Sequence, residues 1–276
     1  MTALTPASIR ALLAEHGREP SRALGQHFLA DPNTARRVVA VAGVAAGDRV
    51  LEIGPGVGSL TVALLDAGAR VTALELDRHL VPLLREATGD PPDLRIEVGD
   101  ALTADLGALL DGDGWLVAAN LPYNVATPIV VRVLEEAPQI VRATVMVQLE
   151  VGERLAAPPG GPGCGAVSVK AAYHARVRLA GRVPPTVFLP PPAVESVLVR
   201  LDRHERPPVD VPSPAAMFSL ARAGFATRRK MLRRALRSEL GERTEAVMAT
   251  AGVDPSARAE TLDLDAWARL ARAAAP

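Results

Sequence analysis

Arg49-Val50-Leu51-Glu52-Ile53-Gly54-Pro55-Gly56-Val57-Gly58 reads as a short apolar strand running into a glycine-rich turn. Ser59 to Ala67 then reads as a helix, which Gly68 ends. Glycines at such a junction let the backbone turn sharply and let a ligand approach closely. Working outward, Arg70 to Leu76, Leu94 to Val98, Trp115 to Ala119 and Ile140 to Leu149 read as four more strands. Asp77 caps the helix after the second strand, and Thr127-Pro128 opens another before the fifth. Upstream, Asp31-Pro32 starts a helix that runs through Val38, Val39 and Val41 to about Gly43. Strands and helices alternating at this spacing predict a parallel sheet covered on both faces.

Downstream the pattern loosens. Pro158 to Gly165 reads as a mobile loop. Ala175 to Val183 and Val194 to Leu201 read as two further strands, an antiparallel edge on the sheet. Arg206 to Pro214 is a proline-rich linker, and the remainder is helical around Met217–Gly224, Arg228–Leu240 and Asp265–Ala274. The expected division is an α/β domain over residues 1–203 and a small helical domain over 204–276.

Composition removes several function classes. Formal net charge is +0, so any affinity for nucleic acid must come from local clustering. Cys164 is the only cysteine, which excludes an internal disulfide and a cysteine-rich zinc site and fits a reducing cytoplasm. The histidines show no metal-ligand spacing, so no metal is expected. No uncharged apolar run reaches membrane-spanning length, and the first residues lack a signal-peptide core.

The polar residues that end these strands form an ordered set. Glu75 closes the second strand, placed to accept from both hydroxyls of a ribose. Asp100 follows the third, placed to accept from an adenine amino group. The dehydrogenase fingerprint would need glycine at position 59, where this chain has Ser59. A ribose acceptor and an adenine acceptor without a diphosphate cradle favour S-adenosylmethionine over a nicotinamide dinucleotide. After the fourth strand comes Asn120-Leu121-Pro122-Tyr123. Asn120 can accept an N–H through its amide oxygen. Pro122 keeps Leu121 out of the helical region, which frees the Leu121 carbonyl for the crevice. Tyr123 offers a face for a ring. The set describes a pocket that grips the exocyclic amine of a flat base. The blander alternatives are a tight turn at Gly54 and helix-capping or solvated carboxylates at Glu75 and Asp100.

A second cluster is basic: Arg222, Arg228, Arg229, Lys230, Arg233, Arg234 and Arg237, with no acid between Met217 and Arg237. On a helix Arg229, Arg233 and Arg237 share a face, while Leu232 and Ala235 turn inward. Phosphate contact is the functional reading. A solvated face with ion pairs to Glu239 and Glu242 is the structural one.

Taken in order, Leu24-Gly25-Gln26-His27-Phe28-Leu29, Glu52-Ile53-Gly54-Pro55-Gly56, Glu75-Leu76-Asp77, Gly99-Asp100-Ala101, Asn120-Leu121-Pro122-Tyr123-Asn124, Phe188-Leu189-Pro190-Pro191-Pro192 and Phe225-Ala226-Thr227-Arg228-Arg229-Lys230 resemble the ribosomal RNA adenine dimethyltransferases. Among these the small-subunit enzymes are most similar. The resemblance implies a class I S-adenosylmethionine-dependent methyltransferase fold: a Rossmann-like, mostly parallel seven-stranded sheet with a small C-terminal all-helical domain. It also implies N6,N6-dimethylation of two adjacent adenosines in a hairpin loop near the 3′ end of 16S rRNA. The methyl donor is S-adenosylmethionine, the product S-adenosylhomocysteine, and the partner the small ribosomal subunit, met by a cytoplasmic monomer.

By the same resemblance His27, Leu29, Gly54, Gly56, Glu75, Asp100 and Asn120 hold the cofactor, although the family usually has asparagine at the place of His27. Asn120, Leu121, Pro122 and Tyr123 hold the adenine, with Phe188 as the opposite wall. For Phe28, core packing and a lid over the cofactor are equal expectations.

Four rivals are set aside on particular residues. Macrolide-resistance 23S rRNA methyltransferases tend to carry isoleucine in place of Leu121 and to lack Pro55. DNA adenine methyltransferases carry a sequence-reading domain, and nothing here looks like one. A non-catalytic assembly factor need not keep Glu75, Asp100 and Asn120 together. A dehydrogenase is disfavoured by Ser59.

Overall fold

The computed structural model describes residues 3–21, 24–227 and 230–275. In chain order the strands are β1 (Phe28–Leu29), β2 (Arg49–Ile53), β3 (Arg70–Glu75), β4 (Leu94–Val98), β5 (Trp115–Asn120), β6 (Ile140–Gln148), β7 (Ala175–Val183), β8 (Phe188–Leu189) and β9 (Ser196–Arg203). The helices are α1 (Pro6–Glu15), α2 (Pro32–Ala42), α3 (Ser59–Asp66), α4 (Val81–Thr88), α5 (Ala126–Glu136), α6 (Leu149–Ala156), α7 (Ala166–His174), α8 (Pro214–Ala226), α9 (Leu232–Leu240), α10 (Thr244–Thr250) and α11 (Leu264–Ala274).

Seven strands form one sheet in the order β4-β3-β2-β5-β6-β9-β7, with β1 and β8 as a separate antiparallel pair. The β2–β3, β3–β4, β2–β5 and β5–β6 pairings are parallel, and β9 runs antiparallel to β6. Strand order therefore reverses between β2 and β5. Alternation along the strands sorts the core onto two faces. Val50, Leu116, Ala118, Met146 and Leu198 pack with Val38 and Val39 of α2 and Leu60 and Leu64 of α3. Val117, Val145 and Leu201 turn the other way, toward Ile129, Val130 and Val133 of α5.

Local chemistry sets the element ends. Asp31 accepts from the Thr34 N–H at 2.8 Å to cap α2, Pro32 opens it, and Gly43 closes it in the left-handed region at φ 66°. The C-terminus of α5 is closed from another strand. The half-buried Arg203 of β9 donates to the carbonyls of Val133, Leu134, Ala137 and Ile140. At the outermost strand, the Arg37 guanidinium donates to the carbonyls of Ala180 and Arg182 at 3.1 and 3.0 Å. It lies so close to Gly181 that a Cβ there would stand 1.8 Å from Nη2.

The chain divides into two compact units: Met1–Gly152 with Arg178–Arg203, and Glu153–Val177 with His204–Pro276. The division expected from sequence, 1–203 and 204–276, puts Glu153–Val177 in the first unit, whereas these residues pack in the second. The reason is two helices that the sequence reading passed over. α6 continues directly out of β6 with no capping residue, and α7 contributes Val169 and Tyr173 to a core built around Trp267. The segment Pro158–Gly165, read as a mobile loop, is packed as well: Cys164 is buried, and a Cβ on Gly160 would meet the Asp263 backbone at 3.1 Å. Among the described residues, no helix is long and apolar enough to cross a membrane.

Candidate active site

Where the strand order reverses, the parallel strands end in a cleft that opens to solvent. Open α/β sheets place ligands at such a point because the loops leaving neighbouring strands diverge there. His27, Leu29, Gly54, Gly56, Glu75, Asp100 and Asn120 all line it, as do Leu121, Pro122 and Tyr123.

The glycine turn is shaped by contact. Gly56 has φ 58°, and a Cβ on it would lie 2.9 Å from the Phe28 ring. Only a residue without a side chain lets the main chain lie this close to the cleft wall. Phe28 is buried in a core with Ile9, Val57 and Leu83 and is also among the residues that line the cleft.

Glu75 holds this turn in place. Its Oε2 accepts the Gly56 N–H at 2.9 Å and its Oε1 accepts the Asp77 N–H at 2.8 Å. Each carboxylate oxygen keeps further acceptor capacity for a ligand hydroxyl. Burial raises the Glu75 pKa, opposed by those two N–H bonds. Asp100 is arranged similarly: Oδ1 accepts the Leu102 N–H at 2.8 Å. Its loop is tied down by Arg132 of α5, which donates to the carbonyls of Ala101 and Ala104 at 2.6 and 2.8 Å.

Below Glu75 lies a second carboxyl, Glu52, 1% exposed and part of the cleft lining. Its Oε2 has no hydrogen-bond partner among the described residues. Burial pushes its pKa up to about 8; the nearby Thr61 hydroxyl opposes this without meeting hydrogen-bond geometry, and the Glu75 charge adds to it. Glu52 is therefore mostly protonated at neutral pH.

On the other side of the reversal, Asn120 ends β5. Its Nδ2 donates to the His27 carbonyl at 2.9 Å, which fixes the amide orientation and leaves Oδ1 as the acceptor. His27 is held in turn. Its Nδ1 lies 2.8 Å from the Pro190 carbonyl, which can only accept, so Nδ1 carries the proton. The His27 ring stacks on Tyr123 with centroids 5.4 Å apart and planes at 25°. Tyr123 Oη meets Ser196 Oγ at 2.6 Å.

Phe188, expected as the opposite wall, is not among the residues that line the cleft. Its ring is 4% exposed and packs with Leu29, Val183 and Leu198. Pairing of β8 with β1 sets Phe188 opposite Leu29 and turns its ring into the core.

The basic cluster lies in the second unit. Arg222, Lys230, Arg233, Arg234 and Arg237 are exposed, and Leu232, Ala235 and Leu236 are buried beneath them. Arg228 and Arg229 lie outside the described residues. Arg237 pairs with Glu242 at 3.0 Å, while Glu239 accepts from the Ser219 hydroxyl. Sequence reasoning did not single out Glu52, Arg132 or Ser196. Glu52 carried a signal, a charged residue inside an apolar strand; the other two act on partners 31 and 73 positions away.

Comparison with known proteins bears on this geometry. A 23S rRNA methyltransferase, ErmE, superposes with a TM-score of 0.67 at 28% identity, covering 89% of this chain and 98% of its own. A dimethyladenosine transferase from Plasmodium falciparum superposes at 0.72 with 23% identity, covering 88% and 96%. Both share the class I methyltransferase fold with this chain. The Ribosomal RNA small subunit methyltransferase A of Rhodococcus opacus (strain B4) is 47% identical over 97% of this chain and 93% of its own length. That of Thermobifida fusca (strain YX) is 46% identical over 97% and 95%. The family model for ribosomal RNA adenine dimethylases matches residues 18–275. With relatives nearly co-extensive and a family match over almost every residue, this chain belongs to the ribosomal RNA adenine dimethylase family.

Proposed function

We propose that this chain transfers methyl groups from S-adenosylmethionine to the N6 amines of two adjacent adenosines in the 16S rRNA of the small ribosomal subunit, as a cytoplasmic monomer. One observation carries the reading: the acceptors Glu75, Asp100 and Asn120, the Gly56 turn and the Tyr123 ring line a single cleft at the strand reversal. The names of the relatives support the choice of subunit. The cleft fits the cofactor by its chemistry. Gly56 lets the main chain approach, Glu75 has acceptor capacity for hydroxyls, and Asp100 keeps one for an amine.

When bound, S-adenosylmethionine supplies an electrophilic methyl on sulfur. An adenine amine is a weak nucleophile because its lone pair is delocalised into the ring. Asn120 Oδ1 and the Leu121 carbonyl each accept one of its N–H bonds, which favours a pyramidal nitrogen with a localised pair. Asn120 is preset for this, because its Nδ2 is already engaged by the His27 carbonyl. Orientation carries the rate, and no base need act first. After transfer the nitrogen is cationic and loses its proton readily. The base must leave its stack at a cost of about a few kcal/mol, and stacking on Tyr123 recovers part of it. The exposed arginines of α9 and Lys230 contact RNA phosphates.

The test is a methyl-transfer assay with labelled cofactor on unmodified small subunits, large subunits and naked DNA. Label is expected on small subunits alone. Asn120→Ala is expected to lower it by about 100-fold or more, the scale of losing one preset polar contact. Label on large subunits would move the chain to the ErmE-like activity, and label on DNA would overturn the RNA substrate.

A further inference from the structure

We propose that Ser196 is a positioning residue: from behind the cleft it fixes the Tyr123 ring against which the adenine stacks, and so governs delivery of the second methyl group. The proposal rests on the reading of Tyr123 as the stacking wall.

A tyrosine ring moves by two torsions. Rotation about Cα–Cβ swings the phenolic tip through space. Rotation about Cβ–Cγ turns the ring plane while leaving the hydroxyl nearly in place, because the hydroxyl lies on that axis. Each motion meets its own restraint here. Ser196 Oγ, 2.6 Å from Tyr123 Oη, holds the tip. Ser196 is 0% exposed, and its main chain is registered against Gln148 as the first residue of β9, so the sheet itself sets its position. Rotation of the plane is opposed by the His27 ring stacked on one face. That imidazole is tied through Nδ1–H to the Pro190 carbonyl. Ser196 does not line the cleft, so it reaches the reaction only through Tyr123.

A fixed wall matters most for the second transfer. The monomethylated amine is bulkier and must return with its methyl turned away from the donor. It then has one N–H left for two acceptors, so less of its orientation comes from hydrogen bonds. More must come from the stacked ring. A Tyr123 free to swing would tolerate the first transfer and misalign the second. Removing the Ser196 hydroxyl also leaves the phenol without its partner, and removing the phenol leaves a fully buried serine hydroxyl unpaired.

The experiment compares wild type, Ser196→Ala, Tyr123→Phe and the double variant on small subunits, reading mono- and dimethyladenosine by mass spectrometry, with cofactor affinity by calorimetry. Ser196→Ala is expected to slow the second transfer about tenfold and the first about twofold or less, so monomethyl product accumulates. KM for subunits and cofactor affinity stay within about twofold of wild type. Tyr123→Phe is expected to do the same, and the double variant to be no worse than the more impaired single one. Equal slowing of both transfers, or additive losses, would overturn the proposal. Tyr123→Leu separates it from the reading beneath: full methylation by that variant would remove the stacking wall altogether. Its loss beside an unchanged product ratio in Ser196→Ala would sink the serine assignment alone.

Discussion

The cleft at the strand reversal and the basic face of α9 are built on opposite principles. In the cleft, the polar side chains of Glu75, Asn120 and Asp100 are already committed to the fold. Glu75 holds the glycine turn, Asn120 holds the His27 carbonyl, and Asp100 holds its own loop. On α9 the cations stand in solvent, and one ion pair there, Arg237 with Glu242, is 68% and 92% exposed. Preset groups in low dielectric act strongly and singly. Solvated charges act weakly and in sum, and salt screens them. On the function proposed above, chemistry is encoded in the first region by exact placement and affinity in the second by number.

The largest test of that contrast is a pair of isosteric swaps. Glu52 has an ordinary value of 4.5 when unfolded and about 8 in the fold. The folded state thus binds the extra proton, so this group's contribution to stability is fully present below pH 4.5 and lost as pH rises toward 8. Glu52→Gln removes that loss. Its stabilisation over wild type should grow across that window to a few kcal/mol, roughly 1.4 kcal/mol per pH unit, in denaturant melts. Glu242→Gln, on the exposed face, should change stability by about 0.5 kcal/mol or less. A flat pH response for Glu52→Gln would break the comparison.

Next in size is Gly56→Ala. The left-handed backbone costs a side chain about 1–2 kcal/mol, and the contact with Phe28 adds about 1–3. Affinity for S-adenosylmethionine should fall on the order of a hundredfold in calorimetry, with subunit binding little changed. Undiminished cofactor affinity would mean that the turn is not where the cofactor lies. The smallest effect belongs to Arg233→Ala with Arg237→Ala. Binding to small subunits should weaken by about tenfold, and the slope of log affinity against log salt should shrink by roughly 1.5. Cofactor affinity should not move; if it does, these arginines support the fold instead of the RNA.

Sequence legibility divides along the same line. The strands, the glycine turn and the acidic residues at strand ends were readable because each is a local pattern of period, cap and turn. The exposed face of α9 was readable because charge and apolar spacing coincide on one short helix. The burial of Phe188 was not readable because its neighbour, Leu29 of β1, is far away in the chain, and no local signal records that pairing. Glu153–Val177 went to the other unit for a related reason: a helix that continues straight from a strand has no cap to announce it. The contacts that orient Tyr123 come from His27 and Ser196, and only the folded chain brings the three together.

The guanidinium of Arg37 carries a last implication. The outermost strand of a sheet is a template on which a foreign chain can continue the ladder. Here two carbonyls of that strand are already occupied by a bulky cation, beside a glycine that leaves room for it. Along that border the sheet is thereby shielded from fusing with stray polypeptide.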